Sequence, residues 1–249
     1  MARAVPPDLE DVQWNAVLMR TRMRALLDRI FPIVQGHVSY ISIGNEVDVY
    51  FEPLSLAQAA EFQAYIIFFE ETREYIRANL PGVQVGVTFT AGGLLGAHGA
   101  EWAELNDRAD ALVATYYPLN ADFTVRAPDR PLTDFAALAQ TAGDKPVVLQ
   151  EVGYPAATLI GSSENRQAQF ISYVFEAWRA ADGQIPFLNL FLLHDFSQEQ
   201  LDWLGPFYGL DDNANFMAYL ATLGLRRADG QARVAWDTLL EGSAAAGLR

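Results

Sequence analysis

The sequence predicts an α/β protein in which helices cover a sheet of parallel strands. Three observations lead to this fold class. Short apolar runs alternate with longer segments whose apolar residues recur at a helical period. The apolar runs are nearly continuous, as expected for strands with both faces buried. The chain has 249 residues, 51% of them hydrophobic, which is enough for a sizeable core. Two architectures match this pattern, an open doubly wound sheet and a (β/α) barrel.

The predicted elements follow one another in a regular order. Strands are predicted at residues 37–43, 83–90, 111–117, 145–151 and 186–194. Helices are predicted at residues 12–34, 56–79, 101–108, 131–141, 163–181, 214–223 and 233–240. Pro131 is placed in the first turn of its helix, and Ser163 caps the next one, with Glu164 in the first turn. The glycine pair at residues 92–93 predicts a loop. We expect a single domain over residues 1–249.

Composition excludes several classes of function. The net charge of −14 and the pI of about 4.5 disfavour nucleic acid and anionic membranes as partners, because an acidic surface repels phosphate. The chain has no cysteine, which excludes disulfides, thiol catalysis and cysteine-ligated metals. No apolar run reaches the ~18–20 residues of a membrane span. The first ten residues lack the apolar core of a secretory signal.

Two glutamates follow apolar strands at matching places. Glu46 comes directly after Asn45 at the end of the first predicted strand, and Glu151 ends the fourth. In parallel α/β folds the active site lies at the C-terminal ends of the strands. Two facing carboxylates are what glycoside hydrolysis requires, and retaining enzymes hold them ~5–5.5 Å apart. Either glutamate could instead be a structural carboxylate held by an arginine or a helix N-terminus.

Two further motifs make the comparison with a known family specific. Tyr-Tyr-Pro stands at residues 116–118, and Glu-Val-Gly-Tyr-Pro at residues 151–155. Together with Asn45-Glu46, and in this order, they resemble the large (β/α)8-barrel clan of retaining glycosidases, most of all the arabinogalactan endo-β-1,4-galactanases. The resemblance covers roughly residues 37–210. It implies a TIM-barrel fold, no cofactor, and hydrolysis of O-glycosidic bonds in a polysaccharide, such as β-galactan, by double displacement.

The resemblance also implies roles for individual residues. Glu46 matches the acid/base, Glu151 the nucleophile, and Asn45 the amide that contacts the sugar 2-hydroxyl. Either Tyr116 or Tyr117 matches the tyrosine that hydrogen-bonds the nucleophile or lines the sugar site. Successive strand residues face opposite sides, so the sequence leaves open which tyrosine faces the site. Both could also be core or rim aromatics.

Other side chains are weaker candidates for substrate binding. These are Asp48, Tyr154, His194, Asp195 and Trp203. Asp48 could equally serve in a helix cap or turn. His194 and Asp195 end the last predicted strand, and Asp195 could bind a sugar hydroxyl. A metal shared by Asp195 and Glu46 would need further ligands such as His98, and no metal site is predicted. Trp203 and Phe207 are the best candidates for stacking on a sugar ring.

The pattern departs from the family at its start. If residues 37–43 form strand 4, the chain supplies strands 4 to 8 only, a partial barrel. The family's strand-2 arginine then has no counterpart, and strand 8 ends in His194-Asp195-Phe196 instead of a tryptophan. The chain is then a fragment, an open five-stranded sheet that keeps the motifs, or one of two copies that complete each other.

These departures leave alternatives open for function and compartment. An open sheet edge predicts poor behaviour in isolation. The alternative functions are a carbohydrate-binding relative without turnover and a scaffold unrelated to sugar. Secretion or periplasmic export would depend on a signal in a missing N-terminal part.

Overall fold

A computed structural model of the protein describes residues 5–51 and 56–247. Within these residues the chain forms six β-strands, ten α-helices and two short 3-10 helices. The strands are β1 (Tyr40–Ser42), β2 (Gln84–Gly86), β3 (Thr88–Thr90), β4 (Leu112–Tyr116), β5 (Val147–Val152) and β6 (Phe187–Leu190). The helices are α1 (Val17–Val34), α2 (Val47–Phe51), α3 (Leu56–Asn79), α4 (Ala91–Leu95), α5 (Gly99–Arg108), α6 (Pro131–Ala142), α7 (Glu164–Ala180), α8 (Gln198–Tyr208), α9 (Ala214–Leu220) and α10 (Val234–Ala245).

The strands form two sheets, one of two strands and one of four. β1 and β2 pair in parallel, with Tyr40 opposite Gln84 and Ser42 opposite Gly86. The other strands follow in the order β3-β4-β5-β6, and β5 and β6 are parallel, with Val148 opposite Phe187. The parallel, helix-separated arrangement predicted from the sequence is confirmed.

One predicted strand, residues 83–90, is divided in the structure. Its first part, β2, pairs with β1, whereas its second part, β3, is the first strand of the four-stranded sheet and pairs with β4. Gly86 lies at the break and makes a close approach possible, since a Cβ there would lie 3.0 Å from the Ala111 carbonyl oxygen and would overlap the Val113 side chain. The apolar pattern predicts an extended segment, but it does not predict which of the two sheets each half joins.

Burial of the strands agrees with expectation in β4 and differs in β6. Every residue of β4 is buried. In β6 exposed and half-buried residues alternate, and Phe187 is 48% exposed. The predicted strand at 186–194 therefore ends four residues early, and one face of β6 is half-buried while the other is exposed.

Three short or polar helices escaped prediction: α2, α4 and α8. The predicted loop at residues 92–93 lies inside α4, which Thr90 caps by accepting a hydrogen bond from the Gly93 N–H. By contrast, α3 has the predicted bounds, and Ser163 caps α7 as predicted. Within the described residues, no helix is long and apolar enough to span a membrane.

The predicted single domain divides by its internal contacts into two compact units. The first comprises residues 1–114 and 144–146, and the second comprises residues 115–143 and 147–249. Aromatic side chains from α3 and its neighbours fill the first unit, among them Phe62, Tyr65 and Trp102. In the second unit α7 packs against α6 and α10. Glu46 belongs to the first unit and Glu151 to the second.

Candidate active site

A glycine-dependent turn carries the chain from β1 to Glu46. The backbone of Gly44 has φ +89°, and the carbonyl of Ile43 accepts a hydrogen bond of 2.7 Å from the Tyr65 hydroxyl. Any side chain on Gly44 would overlap that hydroxyl. Burial of the phenol raises the pKa of Tyr65, so the group stays a neutral donor. The turn that positions Glu46 is therefore fixed from beneath by a buried tyrosine.

Glu46 itself lies in a conformation that L-residues rarely adopt. Its φ is +47°, and its side chain is half-buried. Its carbonyl accepts a hydrogen bond of 3.0 Å from the Val49 N–H in the first turn of α2. The preceding Asn45 is exposed. Left-handed non-glycine residues cost on the order of 1–3 kcal/mol and cluster at functional sites. The strained backbone singles out Glu46 among the residues after β1.

Asp48 has a structural position in the same segment. Its carboxylate is buried and accepts hydrogen bonds from the Thr90 backbone N–H at 2.8 Å and the Thr90 hydroxyl at 2.5 Å. A Cβ on Gly93 would overlap this carboxylate, so α4 packs directly on it. Of the two roles considered from the sequence, this placement supports the structural one and corrects the assignment of Asp48 to a sugar subsite.

Glu151 is the next-to-last residue of β5 and accepts a hydrogen bond from a tyrosine. The Tyr117 hydroxyl donates a hydrogen bond of 2.7 Å to Oε2 of Glu151. Tyr117 directly follows β4, and both side chains are half-buried. A Cβ on Gly153 would lie 2.6 Å from the Tyr117 ring, so glycine at that position makes room for this tyrosine.

Tyr116 points to the opposite side of β4. Its hydroxyl donates to Asp134 at 2.9 Å, and its ring contacts Phe135 and Phe170 among the helices. The residue is 2% exposed, and burial followed by the Asp134 charge raises its pKa. Strand alternation thus decides the question left open by the sequence: Tyr117 contacts Glu151, and Tyr116 packs in the core.

Tyr154, predicted to bind substrate, is also a core residue. It is 1% exposed, its hydroxyl donates to the Arg126 carbonyl at 2.6 Å, and its ring stacks on Phe170 with centroids 4.9 Å apart. Burial is the main cause of its raised pKa. A buried ring with a satisfied hydroxyl is not placed to contact a sugar, which corrects the prediction.

Asp195 is engaged in a buried ion pair. Its two carboxylate oxygens accept from the Arg233 guanidinium at 2.8 and 2.7 Å, and the Gly224 N–H donates to the same carboxylate at 2.8 Å. The side chains of Arg233 and Asp195 are 6% and 7% exposed. This placement corrects the assignment of Asp195 to a sugar hydroxyl.

The histidines are separate from any cluster of metal ligands. His194 is exposed, and the nearest polar contact of its Nδ1 is the Arg227 carbonyl at 3.4 Å. His98 pairs with Glu101, three residues along the same helix turn. Across residues 5–51 and 56–247, no group of three or more His, Asp or Glu side chains is placed to hold a metal ion.

Two aromatic residues beside Tyr117 escaped sequence analysis. Phe191 and Tyr219 make edge contacts with the Tyr117 ring at centroid distances of 6.4 and 5.6 Å. Both are half-buried. The apolar pattern predicts that Phe191 lies within a strand at residues 186–194, whereas β6 ends at Leu190, one residue before it. Tyr219 lies in α9, and nothing in the helical pattern distinguishes it from a packing residue.

Trp203 and Phe207 are exposed on one face of α8. Trp203 is 63% and Phe207 59% exposed, and their rings stack at 5.0 Å with an interplanar angle of 20°. The structure therefore places the predicted sugar-stacking pair at the surface of the second unit.

The fold of the chain is similar to that of several solved glycoside hydrolases. The chain is similar to the exo-beta-1,4-mannosidase Op5Man5 from Opitutaceae bacterium strain TAV5, with a TM-score of 0.68, 18% identity, and coverage of 97% of this chain and 43% of that chain. It is similar to GH5_18 from Streptomyces cattleya in complex with GlcNAc (TM-score 0.67, 14% identity, coverage 96% and 57%). It is also similar to xylanase 10B from Thermotoga maritima (TM-score 0.66, 11% identity, coverage 99% and 72%).

These similarities confirm the predicted fold class. The chain has an α/β fold of the (β/α)8 TIM-barrel type, of which six strands lie within the described residues. It spans about half the length of the first two enzymes. No family model matches the sequence, and no curated protein matches it.

Proposed function

We propose that the protein is a retaining glycoside hydrolase, with Glu151 as nucleophile and Glu46 as acid/base. The observation that carries this proposal is the hydrogen bond from Tyr117 to Glu151 at the C-terminal end of β5. Active sites of barrel enzymes lie at this end of the strands. The Tyr117 phenol holds one oxygen of the Glu151 carboxylate in place, and we assign the attack to the other oxygen.

The reaction proceeds in two balanced steps. The Glu151 carboxylate attacks the anomeric carbon while the glycosidic C–O bond breaks, and Glu46 donates its proton to the departing oxygen. Glu46, now a carboxylate, takes a proton from water as that water attacks the anomeric carbon and releases Glu151. The net result is hydrolysis with retained configuration, and each carboxyl group ends in its starting state.

The half-buried Glu46 and the exposed Asn45 support the assignment of the acid. In the proposed site the side chain of Glu46 is half-buried, and the neighbouring Asn45 is exposed to solvent, where a substrate would arrive.

For the substrate we propose a neutral, β-1,4-linked oligo- or polysaccharide. Two of the similar solved structures are an exo-beta-1,4-mannosidase and a xylanase. The resemblance of residues 116–118 and 151–155 to galactanases makes β-galactan the first such polymer to test. The half-buried rings of Phe191 and Tyr219 beside Tyr117 offer apolar contact to a pyranose ring.

The test is hydrolysis of aryl β-galactosides, mannosides, xylosides and glucosides by the wild type, Glu46→Gln and Glu151→Gln. Both variants should lose at least ~100-fold in kcat/KM. Exposed Glu176→Gln on α7 is the matched control and should keep the wild-type rate.

Two further measurements separate the two roles. Azide should restore turnover to Glu151→Ala by attacking the vacant anomeric face, and it should give a glycosyl azide of inverted configuration. Glu46→Ala should lose least with dinitrophenyl leaving groups, which depart without a proton. Undiminished turnover in Glu151→Gln would refute the mechanism. An inert wild type that still binds sugars would establish a binding protein without turnover.

A further inference from the structure

The exposed aromatic face of α8 has features of a ligand surface. Trp203 and Phe207 are four residues apart, so they share one face of the helix. A Ser197–Gln200 capping box fixes the start of α8, and Gly209 ends it with φ +67°. The two large rings are therefore held in place on a well-capped helix while more than half of their surface faces water. Exposed aromatic clusters of this kind mark interaction sites.

A polar cavity directly follows the same helix. Its volume is about 580 Å³, and residues 209–215 line it. Asn213 caps α9 through the Phe216 N–H at 3.0 Å, and Asn215 donates to the Asp122 carbonyl at 2.9 Å, so the loop is anchored at both amides. Asp211 and Asp212 are exposed in this anchored loop. The cavity thus adds hydrogen-bond acceptors beside the aromatic face.

Charge restricts what can bind there. Residues 198–215 contain four carboxylates and no lysine, arginine or histidine. This segment repels anionic lipids, nucleic acids and acidic polysaccharides. A pyranose ring presents an apolar C–H face and a rim of neutral hydroxyl groups, which complement an aromatic face flanked by carboxylates and amides.

Ring contacts connect this surface to the neighbourhood of Glu151. Tyr117 contacts Tyr219, Tyr219 contacts Phe216, and Phe216 contacts Tyr208 at centroid distances of 5.6, 6.2 and 5.5 Å. Tyr208 then contacts Phe207 at 5.1 Å. All of these residues belong to the second unit. A continuous series of ring contacts therefore joins the α8 face to Tyr117.

We propose that Trp203, Phe207 and the cavity at residues 209–215 form a binding surface for a neutral polysaccharide chain. The inference rests on the proposed function for the class of ligand, and it adds that the substrate is a polymer held beyond the sugar unit that reacts. The aromatic pair supplies apolar contact, and the loop supplies hydroxyl acceptors.

The experiment is affinity electrophoresis through gels that contain soluble β-1,4-galactan, glucomannan or xylan. Glu151→Gln serves as the parent, so that hydrolysis does not consume the polymer. At least one polymer should retard the parent. The double variant Trp203→Ala/Phe207→Ala should bind that polymer about tenfold more weakly. Trp203→Phe should keep most of the affinity, and the matched control Leu159→Ala, at a residue that is 64% exposed, should keep all of it.

The outcomes separate this inference from the proposed function. Equal retardation of the parent and the double variant would overturn the surface, and so would the absence of retardation by all three polymers. A lower self-association of the double variant in sedimentation, without any effect on polymer binding, would assign the rings to a protein contact and overturn it as well. If aryl glycosides are not cleaved but binding depends on Trp203 and Phe207, only the hydrolase proposal fails.

Discussion

Replacement of Asp195 by alanine should destabilise the protein strongly. The change removes a bidentate ion pair with Arg233 and the hydrogen bond from Gly224. The guanidinium, which is 6% exposed, then keeps Glu164 at 3.3 Å and the Gly224 carbonyl at 2.8 Å. Breaking one partner of a buried pair costs about 3–5 kcal/mol, and the remaining contacts place the expected loss at the lower end, about 3 kcal/mol. At a urea slope of ~2 kcal/mol per M, the midpoint of unfolding followed by far-UV circular dichroism should fall by roughly 1.5 M.

The control and a double variant make this reasoning refutable. Asp202→Ala removes an exposed carboxylate on α8 and should change stability by less than ~0.5 kcal/mol. Replacing both members of the pair, as Asp195→Leu/Arg233→Met, should cost less than the sum of the single changes, because no buried charge is left behind. If Asp195→Ala instead keeps the wild-type midpoint and weakens sugar binding alone, the carboxylate is a ligand group and the structural assignment is wrong.

Three further predictions follow from single contacts. Tyr117→Phe removes the donor to Glu151 and should lower kcat/KM about 10- to 100-fold. Because a hydrogen bond to a charged group contributes ~1.5–3 kcal/mol, the melting temperature should also fall by several degrees. Tyr154→Phe removes the 2.6 Å hydrogen bond to the Arg126 carbonyl, which keeps a longer contact of 3.5 Å from the Arg166 guanidinium, and should cost ~0.5–1.5 kcal/mol in urea unfolding without a change in KM. Burial raises the pKa of Asp110, but its arginine and backbone donors outweigh burial and lower the pKa overall. Its stabilising effect is therefore complete above the unfolded pKa of ~3.9 and is lost as pH falls through the folded value, and Asp110→Asn should remove that part of the acid dependence in pH-jump unfolding.

The sequence predicts most of the elements because burial leaves a periodic pattern. The 24 residues of α3 and the capped start of α7 are examples. It does not predict α2 or α4, since five-residue helices contain too few turns to show a period. It predicts β6 too long because an apolar run continues past Leu190, where the chain leaves the sheet. Strand pairing depends on contacts between segments that are distant in sequence. The local pattern of residues 83–90 therefore does not show that they divide between two sheets.

The candidate site shows the same distinction between pattern and contact. The glutamates could be singled out because a carboxylate after an apolar strand is unusual. The side to which Tyr116 and Tyr117 point could not, because a shift of one residue in the strand exchanges the two faces. Asp195 and Asp48 looked functional for the same reason as the glutamates, and only their partners, Arg233 and Thr90, reveal structural roles.

The motifs that led to the galactanase resemblance combine two kinds of residue. In Tyr-Tyr-Pro and Glu-Val-Gly-Tyr-Pro, Tyr117 and Glu151 contact each other, whereas Tyr116 and Tyr154 both stack on Phe170 in the core. Half of the motif therefore carries information about packing, which any enzyme with this fold can share whatever sugar it cleaves. The substrate must be read from side chains outside the motif that line the Glu151 neighbourhood. Replacing Phe191 and Tyr219, and not the motif residues, should therefore change which sugar is cleaved while the reaction of the two carboxyl groups stays the same.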